Sequence, residues 1–130
     1  MLAVTARTSA QPTNHFDYFG GLRFSNAIPT PQQHLGYAIG DHFTRHADAV
    51  SYCRALANAS DRVSIQEYGR TYARRPLVAL TITSPKNHAN LEDILARNLE
   101  LTDPRATSET RANEIARTNP AIVWLSYNVH

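Results

Sequence analysis

Residues 121–129 read AIVWLSYNV, and this nearly continuous apolar run limits the folds open to the chain more than any other segment. Apolar runs of this kind, rich in β-branched and aromatic residues, are typical of β-strands covered on both faces. Such a strand normally lies inside a sheet and has a neighbouring strand along each edge. The given sequence continues only to His130, so we expect the sheet that contains this strand to be incomplete.

The middle of the chain carries a helical pattern followed by two strand patterns. Apolar residues recur every three or four positions across residues 44–60, which predicts a helix capped by Thr44. Apolar and polar residues alternate over residues 63–67, and residues 77–83 are rich in β-branched and apolar types. Residues 69–76 interrupt the two strands, and so short a connection favours an antiparallel hairpin.

Two more helices are expected between the hairpin and the terminal apolar run. Ser84-Pro85 ends the second strand, Asn90 is placed to cap a helix that reaches about Leu99, and Ser108 is placed to cap residues 109–117. This order of elements is typical of a layered α/β protein with a mixed sheet: a helix, two strands, further helices and a buried strand. We therefore predict the α/β class, with an incomplete mixed sheet.

The composition is that of one ordinary globular domain and excludes several other classes. Of the 130 residues, 42% are hydrophobic, which is enough for a single core. The formal net charge of +2 is too small to indicate a nucleic-acid partner, and 18% charged residues argue against a disordered polyelectrolyte. No apolar run approaches the roughly 20 residues of a membrane span, and the single cysteine, Cys53, excludes an internal disulfide.

Residues 1–28 are expected to form an irregular lead-in to a domain that occupies residues 29–130. The lead-in contains Pro12 and the Gly20-Gly21 pair, and its large apolar side chains are expected to anchor it on a neighbouring surface: Phe16, Tyr18, Phe19, Leu22 and Phe24. The small residues that end at Gln11 are compatible with the tail of an export signal, although a frayed terminus is favoured. The compartment is left open, with export to the periplasm among the alternatives.

Two short segments resemble a known enzyme family. Residues 123–130, VWLSYNVH, resemble the strand that leads into the H-x-x-E zinc motif of zinc carboxypeptidases, the carboxypeptidase A-like metallopeptidases. Residues 67–71, EYGRT, followed by Arg75-Pro76-Leu77, look like that family's early hairpin, in which a Gly-Lys/Arg-Ser/Thr turn precedes Gly-Arg-Pro and a strand. Each motif is loose alone, and their order along the chain makes the combination moderately specific.

The intervening segments follow the same order. Residues 37–61 resemble the family's opening helix, and residues 84–88, SPKNH, with the helix after them, resemble a bacterial branch of these enzymes. The resemblance covers about residues 29–130 and implies the amino-terminal part of a mixed-sheet α/β carboxypeptidase-like fold. One departure lies in the hairpin, where Ala73-Arg74 stands in the place of the family's Glu-Gly. Because Arg tolerates a positive φ less well than Gly, we expect an altered turn.

The resemblance also implies zinc chemistry and peptide hydrolysis in the intact relative. His130 matches the family's first zinc ligand, whereas the second ligand, a Glu three residues on, lies beyond the given sequence. The second His, the general-base Glu and the substrate-binding Arg come later still in the family. Zinc held by one imidazole cannot fix the geometry or activate a water usefully. We therefore assign no catalytic residue and expect this chain alone to be inactive and to bind zinc poorly.

Other candidate residues have simpler interpretations. His42 and His46 are four apart but lack the Glu of an H-E-x-x-H helix, so a solvated helix start is favoured over a metal site. Cys53 lies on the apolar face of its helix, where a buried, inert thiol is the ordinary case. A basic cluster of Arg70, Arg74 and Arg75 could bind a phosphate or a carboxylate, although a solvated turn is favoured.

Two functions therefore stand beside each other. The first is the amino-terminal portion of a zinc metallocarboxypeptidase, whose intact form acts on a peptide or protein substrate. The alternative is a non-enzymatic α/β interaction module in which a partner chain completes the sheet edge at residues 121–129. A weaker third hypothesis, single-stranded nucleic-acid binding through Arg and Tyr, is disfavoured by the small net charge.

Overall fold

The computed structural model describes residues 20–22 and 25–127. Over that range the chain forms five helices and two strands, α1 (Pro31–Leu35), α2 (His46–Ala59), β1 (Val63–Arg70), β2 (Pro76–Ile82), α3 (Pro85–Ala89), α4 (Leu91–Glu100) and α5 (Glu109–Thr118). The predicted combination of helices and a sheet is confirmed. Within the described residues the sheet consists of β1 and β2 alone.

Helix α2 lies against both its neighbours in sequence, α1 and β1. Val50, on the predicted apolar face, is only 5% exposed, and Tyr52 donates a hydrogen bond from its hydroxyl to the Pro29 carbonyl, 3.0 Å away. The prediction of Thr44 as the cap is wrong. The Thr44 hydroxyl instead accepts a hydrogen bond from the Tyr37 hydroxyl at 2.9 Å, and the helix begins after Arg45 without a side-chain cap.

The two strands form the predicted antiparallel hairpin, in which Val63 lies opposite Ile82 and Glu67 opposite Val78. Strand β1 extends beyond the predicted end at Glu67. A β-bulge between Glu67 and Gly69 takes up one extra residue, so that pairing resumes with Gly69 opposite Leu77. Gly69 therefore marks a bulge inside the strand rather than its end.

Three hydrogen bonds around Thr71 close the hairpin turn. The Thr71 amide donates to the Arg75 carbonyl at 3.0 Å, the Arg74 amide donates to the Thr71 carbonyl at 2.8 Å, and the Arg75 amide donates to the Thr71 hydroxyl at 3.1 Å. Arg74 adopts a φ of 59°, the left-handed region that favours glycine. Arg74 therefore holds a backbone conformation that glycine adopts without steric cost. Whether this turn is altered relative to the family's stays a prediction.

We expect Arg74→Gly to unfold with a free energy about 1 kcal/mol higher than Arg74→Ala, because only glycine adopts this φ without steric cost. Both variants remove the charge, so their difference isolates the backbone strain. Urea denaturation followed by circular dichroism measures the two values. An Ala variant as stable as the Gly variant would show that the turn carries no such strain.

Helices α3 to α5 follow the hairpin, and the first of them, α3, was not predicted from the sequence. Strand β2 ends at Ile82, and Ser84 caps α3, where its hydroxyl accepts a hydrogen bond from the Asn87 amide at 3.2 Å. The Asn90 side chain donates back to the Lys86 carbonyl at 2.7 Å, so the prediction that it caps α4 with its side chain is wrong. Ser108 caps α5 as predicted, accepting from the Arg111 amide at 3.3 Å.

Helices α4 and α5 pack against each other around Ile94 and Ile115, and Ile115 is completely buried. Asn119 at the end of α5 donates a hydrogen bond to the Ile94 carbonyl at 3.1 Å. Arg111 of α5 binds both carboxylate oxygens of Glu100 of α4, at 2.9 and 3.1 Å. The hydrogen bond from this guanidinium lowers the pKa of Glu100, with a smaller opposing effect of desolvation.

The terminal apolar segment departs most from expectation. Residues 121–127 are not assigned to a strand, pair with neither β1 nor β2, and expose Trp124 by 77% and Tyr127 by 80%. For these residues the predicted covering on both faces is wrong, because no described element lies over either face. Residues 128–130, which complete the predicted strand, lie outside the described residues.

Of the five predicted anchors of the lead-in, Leu22 lies among the described residues. Leu22 is largely exposed, so it does not anchor the segment as predicted. The other four, Phe16, Tyr18, Phe19 and Phe24, lie outside the described residues. No helix in the described part of the chain is both long and apolar enough to cross a membrane.

Candidate functional site

The predicted zinc ligand, His130, lies outside the described residues. Its surroundings therefore stay a prediction. Within residues 20–22 and 25–127, no group of three or more His, Cys, Asp or Glu side chains is arranged to hold a metal ion.

The other histidines near α2 have separate partners. The His42 ring packs edge-on against Tyr37, with ring centroids 5.1 Å apart and an interplanar angle of 82°. The His34 imidazole is hydrogen-bonded to the Ser51 hydroxyl at 3.0 Å and lies 5.5 Å from the Tyr52 ring. His46, the first residue of α2, lines a cleft with several arginines. His46 lies at the start of α2, as predicted, whereas His42 lies in the bend that precedes the helix, so the prediction is wrong for His42.

Cys53 is a half-buried free thiol on α2. Burial raises its pKa, with a smaller opposing effect of a backbone hydrogen bond. A raised pKa favours the thiol over the thiolate, which is the nucleophilic form. The site therefore supports the prediction of an inert cysteine.

A cleft of about 570 Å³ lies between the start of α2 and the hairpin turn. Its apolar wall consists of Phe43, Ala47, Val50 and Pro76, and its cationic lining consists of Arg45, Arg54, Arg74 and Arg75, with His46 beside them. No carboxylate lines this cleft in the described part of the chain. We call it the arginine cleft.

Two elements deliver the lining of the arginine cleft. In α2, Ala47, Val50 and Arg54 follow one another at spacings of three and four, which places them on one helix face. The hairpin turn supplies Arg74 and Arg75, and Pro76 begins β2 immediately after them. Because α2 packs on β1 and β1 is hydrogen-bonded to β2, the sheet fixes the turn beside the start of the helix.

The arginine side chains of the cleft have no ion-pair or hydrogen-bond partner among the described residues, in contrast to Arg70. Among the described residues, the side chains of Arg45, Arg54, Arg74 and Arg75 make no ion pair or hydrogen bond, whereas Arg70 pairs with Glu67 at 2.8 Å. The predicted cluster of Arg70, Arg74 and Arg75 is therefore divided. Arg70 is neutralised on β1, and the other two face the cleft.

Phe43, Arg45 and Arg54 were not predicted from the sequence to share a site. Arg54 carried a usable signal, because it stands four residues after Val50 and so borders the apolar helix face. Arg45 and Phe43 precede the helix, and their position beside the turn depends on the packing of α2 on the hairpin. That packing joins segments about thirty residues apart and leaves no local pattern.

The fold described here, helices with an antiparallel hairpin, defines a mixed α/β protein with a basic cleft. Comparison of the chain with protein-family models, with curated proteins and with solved structures finds no match.

Proposed function

We propose that this chain forms the amino-terminal portion of a zinc metallocarboxypeptidase-like domain with an incomplete mixed sheet. The observation that carries the proposal is the hairpin turn. Arg74 has the left-handed φ at the position of the family's Gly, and Arg75-Pro76 then leads into β2, as in the motif that the sequence resembles. The order of α2, hairpin and later helices follows the same resemblance.

The exposed terminal segment gives independent support. In this segment Val123, Trp124 and Leu125 are largely exposed, although such residues normally lie in a core. A larger domain would cover this segment with further strands and helices. The hairpin likewise has two strand edges unpaired within the described residues, as expected of part of a larger sheet.

In the intact enzyme, this chain would supply one zinc ligand. The His130 imidazole would bind the metal through a neutral ring nitrogen, and the remaining ligands, the proton-transferring Glu and the substrate-binding Arg would come from elsewhere. Zinc in a complete site of this type polarises the scissile carbonyl and the attacking water. Alone, the chain is expected to hydrolyse no peptide.

The coding sequence after the His130 codon tests the proposal directly. In one of the forward frames it should encode a Glu three residues after His130, and further on a second His, a general-base Glu and an Arg. Unrelated codons in every frame would contradict the proposal.

The same exposed segment also favours the second function, an interaction module whose partner covers residues 121–127. Size-exclusion chromatography distinguishes the two. A module should elute as a monomer or a defined oligomer, whereas part of an enzyme should aggregate through its uncovered apolar segment.

A further inference from the structure

We propose that the arginine cleft binds a small phosphorylated ligand that carries an aromatic or apolar group. The inference is independent of the carboxypeptidase proposal, because it uses only residues of α2 and the hairpin turn. It begins from the concentration of charge around one cavity, where four guanidinium groups have no acidic partner among residues 20–22 and 25–127.

The charge favours a phosphate ester over a carboxylate. A carboxylate carries one negative charge and occupies one arginine fork, whereas a phosphate group carries about −1.5 to −2 at neutral pH and offers three strong acceptor oxygens. Arg45 lines the cleft from just before α2 and Arg54 from α2 itself. Arg74 and Arg75 line it from the hairpin turn. Arginines on two sides of a cleft can therefore share one phosphate group through different oxygens.

The apolar wall indicates that the ligand has more than a phosphate group. Phe43 is 91% exposed and stands at the cleft together with Val50 and Pro76. An aromatic ring held in water beside arginines offers a surface on which an apolar or aromatic group can stack. The volume of about 570 Å³ exceeds the space that inorganic phosphate needs and lies within the usual range for small organic ligands.

The shape of the charged surface argues against a nucleic acid. A protein that binds an extended strand through its backbone typically spreads cations along a stripe. Here the free arginines converge on one cleft, and the formal net charge of the chain is only +2. A compact anion fits this arrangement better than a polymer.

Isothermal titration calorimetry of the 130-residue chain at low salt and pH 8, with phenyl phosphate and inorganic phosphate as probes, tests the proposal. Phenyl phosphate should bind more tightly than inorganic phosphate. The double variant Arg54→Gln with Arg75→Gln should lose at least about tenfold in affinity, the scale of one charge-assisted hydrogen bond. Phe43→Ala should remove the preference for phenyl phosphate and leave inorganic phosphate binding unchanged.

A matched control separates the cleft from net charge. Arg97→Gln with Arg117→Gln removes the same charge from α4 and α5, where each arginine Nε donates only to a carbonyl of its own helix. This pair should change the affinity less than twofold. Circular dichroism checks that every variant keeps the wild-type helix content.

Three results would overturn the proposal: no binding of either probe, equal weakening by the control pair, or equal affinity for the two probes in the wild type. Tighter binding of a single-stranded oligonucleotide that displaces phenyl phosphate would also overturn it, because the occupant would then be a polymer.

Discussion

Replacing Ile115 by Ala is expected to lower the free energy of unfolding by about 2–4 kcal/mol, because it deletes three methyl or methylene carbons from a fully buried site. Ile115 lies on α5, which packs against α4, and Ile94 on α4 is buried as well. The cavity left behind removes contacts that the short helices need, since helices of about ten residues are marginal without packing. Urea denaturation followed by circular dichroism measures the change.

The matched control is Ile39→Ala, the same substitution at a side chain that is 81% exposed. It should alter the free energy of unfolding by less than about 0.5 kcal/mol. Equal effects at the two positions would mean that α4 and α5 do not share the core described above. A broad, non-cooperative transition in the wild type would lead to the same conclusion.

Replacing Val123, Trp124 and Leu125 together by Thr, Gln and Ser is expected to reduce self-association of the chain strongly. These side chains are exposed in one continuous segment outside any helix or strand, and contiguous apolar surface promotes association in water. Sedimentation velocity across a concentration series measures the effect. The variant should remain monomeric at concentrations at which the wild type forms larger species.

A control triple variant replaces three exposed apolar residues that lie in separate parts of the chain, Leu22, Ile39 and Leu99. Scattered apolar residues are normal on protein surfaces, so this variant should associate like the wild type. A wild-type chain that stays monomeric at every concentration would contradict the prediction that exposed residues 121–127 cause self-association. Trp124 is the single tryptophan, so a loss of acrylamide quenching on association would report its burial.

The local elements could be predicted from the sequence where one short pattern decided them. The periodic apolar residues of α2, the alternation in β1 and the Ser108 cap of α5 all gave the correct element. The hydrogen bonds of the helices join residues close in sequence, and β1 pairs with the next strand along the chain. The hairpin was predictable for the same reason, since its strands are adjacent along the chain.

The helix caps that were predicted wrongly, the terminal segment and the cleft depended on contacts that a local sequence pattern does not indicate. Thr44 failed as a cap because its hydroxyl accepts the hydrogen bond of Tyr37, and Asn90 failed because it binds the preceding helix. The apolar run at residues 121–127 has the composition of a strand, but a strand forms only where a neighbour supplies hydrogen bonds. The arginine cleft arises where α2 meets the hairpin turn, so only Arg74 and Arg75 of its arginines were candidates from the sequence.

Zinc binding by the chain extended with its downstream coding residues tests the central claim most directly. Metal analysis after dialysis should find stoichiometric zinc on the extended chain, little zinc on the 130-residue chain, and a large loss of zinc on His130→Ala in the extended form, because His130 is proposed as one ligand of a three-residue site. Stoichiometric, tightly held zinc on the 130-residue chain, or an extended chain that binds zinc equally well without His130, would contradict the account.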